Sequence, residues 1–317
     1  MCLIVAIIEP KFATMGNTLI ILRNASVNAM IAFGMTFVIL MGGIDLSVPG
    51  VMASAGMIST GVLQLLTGKS NLDPGNLGGV HAAGIIFVAI MAGLLVGLAV
   101  GFFNGFFSTK FKIAPFIVTL GTNYITGGVA LLLTKGSVIA VRTPQFILMG
   151  TTLAGGVVPV QIVYLLIIFL VMFVILNNTK YGRRIFAIGG NEQAARYSGI
   201  SADRIKISSF MILGVLAAFG GIITCARLQS GQPKIGTNAE LDAIAAAILG
   251  GTSFTGGIGT LTGTLIGAIM LYVIQNGLNL MAVSQYWQPV AKGAVILIAV
   301  YVDVLKYTRR RKKRQTR

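Results

Sequence analysis

Four glycines at four-residue intervals, Gly93, Gly97, Gly101 and Gly105, stand inside an apolar stretch running from Ala82 to Phe107. An α-helix turns once in about 3.6 residues, so all four line one stripe, where a neighbouring helix can approach backbone to backbone. A second stripe, Gly259, Gly263 and Gly267, lies in a later apolar stretch. In hydrocarbon, lipid gives helices no hydrophobic reason to associate, and stripes of small residues are a main device for packing them. The spacing predicts an all-α, polytopic membrane bundle with closely fitted helices.

Composition agrees. Of 317 residues, 55% are hydrophobic and only 10% charged, against about 25% charged in a soluble domain. A water-facing surface cannot be built from so few charges, so the lipid bilayer is the solvent. The net charge of +16 suggests nucleic acid until its distribution is read. Of the 24 Lys and Arg, eight fall in residues 306–317, six between Asn177 and Ser208, and two at Lys110 and Lys112. Basic clusters beside spans mark the cytoplasmic side, and a basic tail beside anionic headgroups needs no nucleic acid. A cytoplasmic C-terminus is expected. Cys2 and Cys225 give neither a disulfide framework nor a metal pattern, and His81 reads as an interfacial residue at the start of a span.

Candidate spans are Asn28–Gly42, Leu46–Leu66, Ala82–Phe107, Ala114–Leu133, Val160–Leu176, Ile207–Ala226, Leu241–Gly251, Gly259–Leu280 and Trp287–Tyr301. The apolar segment Met1–Ile8 is stopped by Glu9-Pro10-Lys11, too short to cross about 30 Å of hydrocarbon. It reads as a truncated first span or an interfacial dip, and brings the expected number of helices to about ten, with Asn28–Gly42 and Leu241–Gly251 short. Alternation from a cytoplasmic tail puts loops 108–113 and 177–206 inside and loops 68–80, 134–159, 227–240 and 281–286 outside.

Gly42-Gly43-Ile44-Asp45-Leu46-Ser47-Val48-Pro49 is the first interior break. Paired glycines end one helix, Asp45 or Ser47 caps the next, and Pro49 is tolerated in a first turn. The segment is either an ordinary turn at the cytoplasmic face or irregular backbone at membrane depth, which needs protein or water around it. A Gly-rich segment, 250–257, recurs in the second half and hints at a duplication.

Motifs for covalent chemistry fail. Gly68-Lys69-Ser70 resembles the end of a phosphate loop, but the required first glycine is Leu63. Gly257-Ile258-Gly259 misses the dinucleotide fingerprint, because its last glycine, Gly263, falls one residue late. No nucleophile has a base at hand, so neither an enzyme nor a cofactor or metal site is expected. Of the eight acids, Asp45, Glu240 and Asp242 alone lie near helix breaks, where they cap helices, pair with polar neighbours or bind an ion. Asn104, Asn123, Asn276 and Asn279 either line a path for a neutral solute or make interhelical hydrogen bonds.

The segment Gly189-Gly190-Asn191-Glu192-Gln193-Ala194-Ala195-Arg196-Tyr197-Ser198-Gly199 offers an N-cap at Asn191, an acid in the first turn at Glu192 and a C′ stop at Gly199. It reads as a two-turn helix on the cytoplasmic side, either docking into a cleft of a soluble partner or serving as a solvated connector.

With Gly43-Ile44-Asp45-Leu46-Ser47-Val48, Ile113–Thr122, Gly189–Ile200, Glu240–Ala246, Leu249–Ser253 and Gln275–Leu280 in this order, nearly the whole chain resembles the permease subunits of bacterial monosaccharide importers of the ATP-binding cassette class. The resemblance implies one transmembrane permease domain over 1–317 with a basic cytoplasmic tail at 306–317, paired with a second permease copy, identical or paralogous. It further implies a cytoplasmic ATPase on a separate polypeptide and an extracytoplasmic sugar-binding protein that sets cargo choice. Two departures stand out: the family's first span is usually complete, and Pro49 replaces its common glycine. The mechanism expected is alternating access in the bacterial cytoplasmic membrane, with ATPase closure moving the helix around Asn191–Ser198 and Gly-striped helices rocking in response. Segment 250–259 is the rival contact. The alternative function is an ion-coupled carrier or facilitator for a small neutral solute.

Overall fold

The structure, a computed structural model, describes residues 5–7, 9–68, 79–153, 156–284, 286–294, 297 and 301. The chain is helical: α1 (Met15–Leu40), α2 (Val48–Thr67), α3 (Gly79–Lys110), α4 (Pro115–Thr134), α5 (Pro144–Leu148), α6 (Val160–Asn178), α7 (Lys180–Gly190), α8 (Glu192–Tyr197), α9 (Ala202–Leu228), α10 (Ala239–Leu249) and α11 (Leu261–Leu280). Four two-residue strands complete it. β1 (Ile139–Ala140) pairs antiparallel with β4 (Ser230–Gly231), and β2 (Thr152–Leu153) with β3 (Val158–Pro159).

Seven helices among the described residues are long and apolar enough to cross a membrane: α1, α2, α3 from Ala82, α4, α6, α9 and α11. The expected total of about ten included α10, which has only 11 residues, the partly described segment 287–301, and Met1–Ile8, of which residues 1–4 and 8 lie outside the described set. The short span expected at Asn28–Gly42 is the second half of α1, a 26-residue helix capped by Thr14, whose side chain accepts from Asn17 N. Asn17, Arg23, Asn24 and Asn28 obscured its first half, because polar residues lower the apolar signal of a span even when they face a cleft inside the bundle.

The C-terminal half of α1 is the axis of the molecule. From Ala29 to Leu40 its apolar side chains are all fully buried, as a helix that is apolar all round must be. Around it pack α6, α9, α10 and α11. The outward sides of α3, α4 and α6 carry exposed large apolar residues such as Phe102, Leu132 and Leu170, the surface that lipid covers.

The two glycine stripes each meet a defined partner. A methyl group on Gly105 would fall 2.6 Å from Cα of Ile207, and one on Gly93 2.8 Å from the carbonyl of Ala55. Gly97 and Gly101 press on the backbones of Gly214 and Phe210, so α3 and α9 touch along their length. In the second stripe Gly263 and Gly267 press on the carbonyls of Gly250 and Ala246, which seats α10 on α11, while Gly259 meets the side chain of Thr252.

Candidate functional site

One end of the bundle collects the cations Lys110, Lys112, Lys180, Arg183, Arg184, Arg204 and Lys206. There α7 and α8 lie against the ends of α1 and α9. Thr179 caps α7 by accepting from Gly182 N, and Gly182, Ile185 and Ile188 are its buried face. Sequence reasoning read this stretch as loop because three glycines fall within it, yet Gly182 and Gly189 are seated where a side chain would strike the backbone of Leu176 and Leu40.

Asn191 caps α8 by accepting from Ala194 N at 3.0 Å, and Gly199 ends it at a φ of +80°. Four charges then fasten α8 to the first turns of α9. Arg196 donates to Glu192 at 2.9 Å and to Asp203, and Lys206 donates to Glu192 at 2.6 Å. Partial burial alone would raise the Glu192 carboxyl, but hydrogen bonds from Lys206 and Arg196 outweigh it and hold that group below its ordinary value. Ala195, expected on the docking surface, turns inward and is buried. The face left free presents Gln193, Ala194 and Tyr197, the last 90% exposed. Gly189 also touches Gly257, whose N–H donates to Leu40 O at 2.8 Å, so α8 and the 250–260 turn share this end. Beside α8 a cleft of about 730 Å³ opens between it, Gly42-Gly43 and the turn at 108–115.

Within the break before α2, Asp45 and Ser47 are each 1% exposed. Three amide groups here are satisfied by side chains. Asp45 accepts from Ser47 N at 2.7 Å and from Ser47 Oγ at 2.6 Å, and Asn104 on α3 donates to Ser47 Oγ at 2.9 Å. From α4, Thr119 Oγ1 accepts from Leu46 N at 3.0 Å and Asn123 Oδ1 from Gly50 N at 2.8 Å. Pro49 has no N–H to satisfy. Asp45, Ser47, Asn104 and Asn123 are thus brought together by hydrogen bonds at the start of α2, Gly43 lies apart on the cleft beside α8, and Thr119 is the member that sequence reasoning missed.

At the far end a cleft of about 430 Å³ lies between α1, α9, α10 and α11, within the range of roughly 300–1,000 Å³ usual for small-molecule sites. Tyr272, Gln275, Asn276 and Asn279 on α11 line it, at the helical spacing that puts all four on one face. Asn24 and Asn28 face them from α1, Thr224 and Arg227 from α9, and Asp242 from α10. Reciprocal amide bonds between Asn17 and Asn276, at 3.0 and 2.9 Å, close one edge. Asn279 accepts from Gln288 at 2.6 Å, and Lys292 holds both oxygens of Asp242 at 2.8 and 2.9 Å. Glu240 stands in the first turn of α10, its Oε2 buried without a partner. Asp242, Asn276 and Asn279 therefore converge on this cleft. Tyr272, Gln275, Asn28 and Arg227 were missed, although the spacing of polar residues on α11 within an apolar helix was the available signal.

A helical bundle with a polar cleft inside its apolar body and a charge-fastened helix at its basic end is the architecture a membrane permease needs. Residues 17–300 match the family described as branched-chain amino acid transport system / permease component, and the chain belongs to that family. It is 44% identical over 303 residues to the ribose import permease protein of Bacillus subtilis, covering 95% of this chain and 88% of that one. It is 35% identical to the galactose/methyl galactoside import permease protein of Haemophilus influenzae over 96% of this chain and 90% of that one. The L-arabinose transport system permease protein of Escherichia coli is 36% identical, over 96% of this chain and 88% of its own length. No solved structure matches the chain.

Proposed function

We propose that this chain is the membrane-spanning subunit of an ATP-driven importer that carries a monosaccharide of the ribose, galactose or arabinose kind across the bacterial cytoplasmic membrane. The observation that carries the reading is the far-end cleft, walled by amide, hydroxyl and guanidinium groups, in a chain similar over nearly its full length to sugar import permeases. Amide and hydroxyl donors and acceptors suit a polyhydroxylated solute that must pass without being held tightly. An ion-coupled carrier needs an ionisable group free to take the ion. Asp242, the acid that lines the cleft, is already engaged by Lys292, and Glu240 does not line it, which favours the ATP-driven reading.

The excess of Lys and Arg at one end supports a cytoplasmic position for that end, and the basic tail in the sequence supports a cytoplasmic C-terminus. There α8 is the lever for a separate ATPase, with Tyr197 as its protruding contact, and the ion pairs to α9 carry the displacement into the bundle. An extracytoplasmic sugar-binding protein delivers cargo to the far end, and a second permease copy completes the assembly. Cross-linking tests the lever. A cysteine placed at Tyr197 is expected to trap the ATPase in a disulfide or short bifunctional adduct. Adducts from Ile258→Cys, with none from Tyr197→Cys, would move the docking role to the 250–260 turn.

A further inference from the structure

The far-end cleft carries a charge imbalance that passage of a neutral sugar does not require. Arg227, in the last turn of α9, lines the cleft, and Arg23 immediately precedes the cleft-lining Asn24 on α1. Among the described residues neither makes an ion pair, and Arg23 Nε is buried with no acceptor. The carboxylate that shares the cleft, Asp242, is neutralised by Lys292. Glu240 stands two residues before Asp242 in the first turn of α10, its Oε2 buried without a partner, and does not line the cleft. Asn28 is a second mark of a site built for a guest: it lines the cleft, is 4% exposed, and its Oδ1 receives no hydrogen bond.

Uncompensated cations in a cleft with low-dielectric walls raise the local concentration of anions and depress that of cations. Their N–H groups also donate to hydroxyl oxygens of either solute. We propose that Arg227 and Arg23 make the far-end cleft a charge filter, which admits neutral sugars and carboxylate-bearing sugars and turns away ammonium-bearing amino sugars. The inference rests on the cleft being part of the solute path.

Thr237 is exposed in the same cleft, so Thr237→Cys, in a chain carrying Cys2→Ser and Cys225→Ala, reports its local potential. The assembled transporter in liposomes is treated with a sulfonate-bearing or a trimethylammonium-bearing methanethiosulfonate, and each rate is normalised to that reagent's rate with free cysteine. The anionic reagent is expected to react about fivefold faster. The preference should fall to parity with Arg23→Gln plus Arg227→Gln and survive Arg23→Lys plus Arg227→Lys. With both arginines present it should also shrink as salt rises from about 0.01 M to about 1 M. Equal normalised rates with both arginines, or a preference indifferent to salt, overturn the filter, and the salt series decides even if the glutamine pair fails to assemble. Uptake in the same liposomes separates the two readings: ATP-driven uptake without a charge preference removes the filter alone, and absence of ATP-driven uptake removes the transport reading.

Discussion

Leu46 N, Ser47 N and Gly50 N show what single side chains must do for a chain to stay irregular inside a membrane protein. Each of these amides would be orphaned at the start of α2, and each is met by a side-chain oxygen, from Thr119, Asp45 and Asn123. Leaving one buried donor unmet costs about 1–3 kcal/mol. Thr119→Val keeps the shape and removes the acceptor, so it is expected to cost about that much and to lower the melting temperature of the detergent-purified protein. Thr119→Ser should leave it near the parent value. The polar residues of this break were legible in the sequence as residues that need partners. Which partners they take was not, because Leu46 and Thr119, or Gly50 and Asn123, stand 73 residues apart and meet only once α2 and α4 have packed.

The glycine spacing named the contact faces of α3 and α11, since a stripe without side chains has value only against another backbone. It did not name the partners, which are α9 and α10. Gly97 and Gly214 face each other, and each lies where a methyl group would meet the other's carbonyl. Gly97→Ala should therefore cost about 1–3 kcal/mol through overpacking, whereas Gly84→Ala on the same helix, with open space beside it, should cost nothing by the same thermal measurement. Amphipathic α7 and the first half of α1 escaped reading for opposite reasons. Glycines made α7 look like loop, although two of them serve close approach. Asparagines and Arg23 made α1 look interrupted, although Asn17, Asn24 and Asn28 lie on the side that meets α11 and the cleft.

Taken whole, the molecule has two chemically distinct ends joined by one rigid plank. At the basic end α8 is fastened to α9 by Glu192, Arg196, Asp203 and Lys206, and α9 is in backbone contact with α3 along its length. At the far end the same α9 supplies Thr224 and Arg227 to the cleft. One continuous helix, α9, thus connects the contact with α8 at the basic end to the cleft at the far end. The class of this permease was legible because its motifs run through the chain in order. The cleft was legible only in part, because its wall is assembled from four helices distant in sequence. The central claim is that the energy for transport comes from a separate ATPase and not from an ion gradient. Sugar accumulation in liposomes containing this chain, its ATPase and its binding protein tests that claim directly. Accumulation should require ATP inside the cytoplasmic compartment and persist when proton and sodium gradients are collapsed. Accumulation by the permease alone, driven by an ion gradient without ATP, would contradict it.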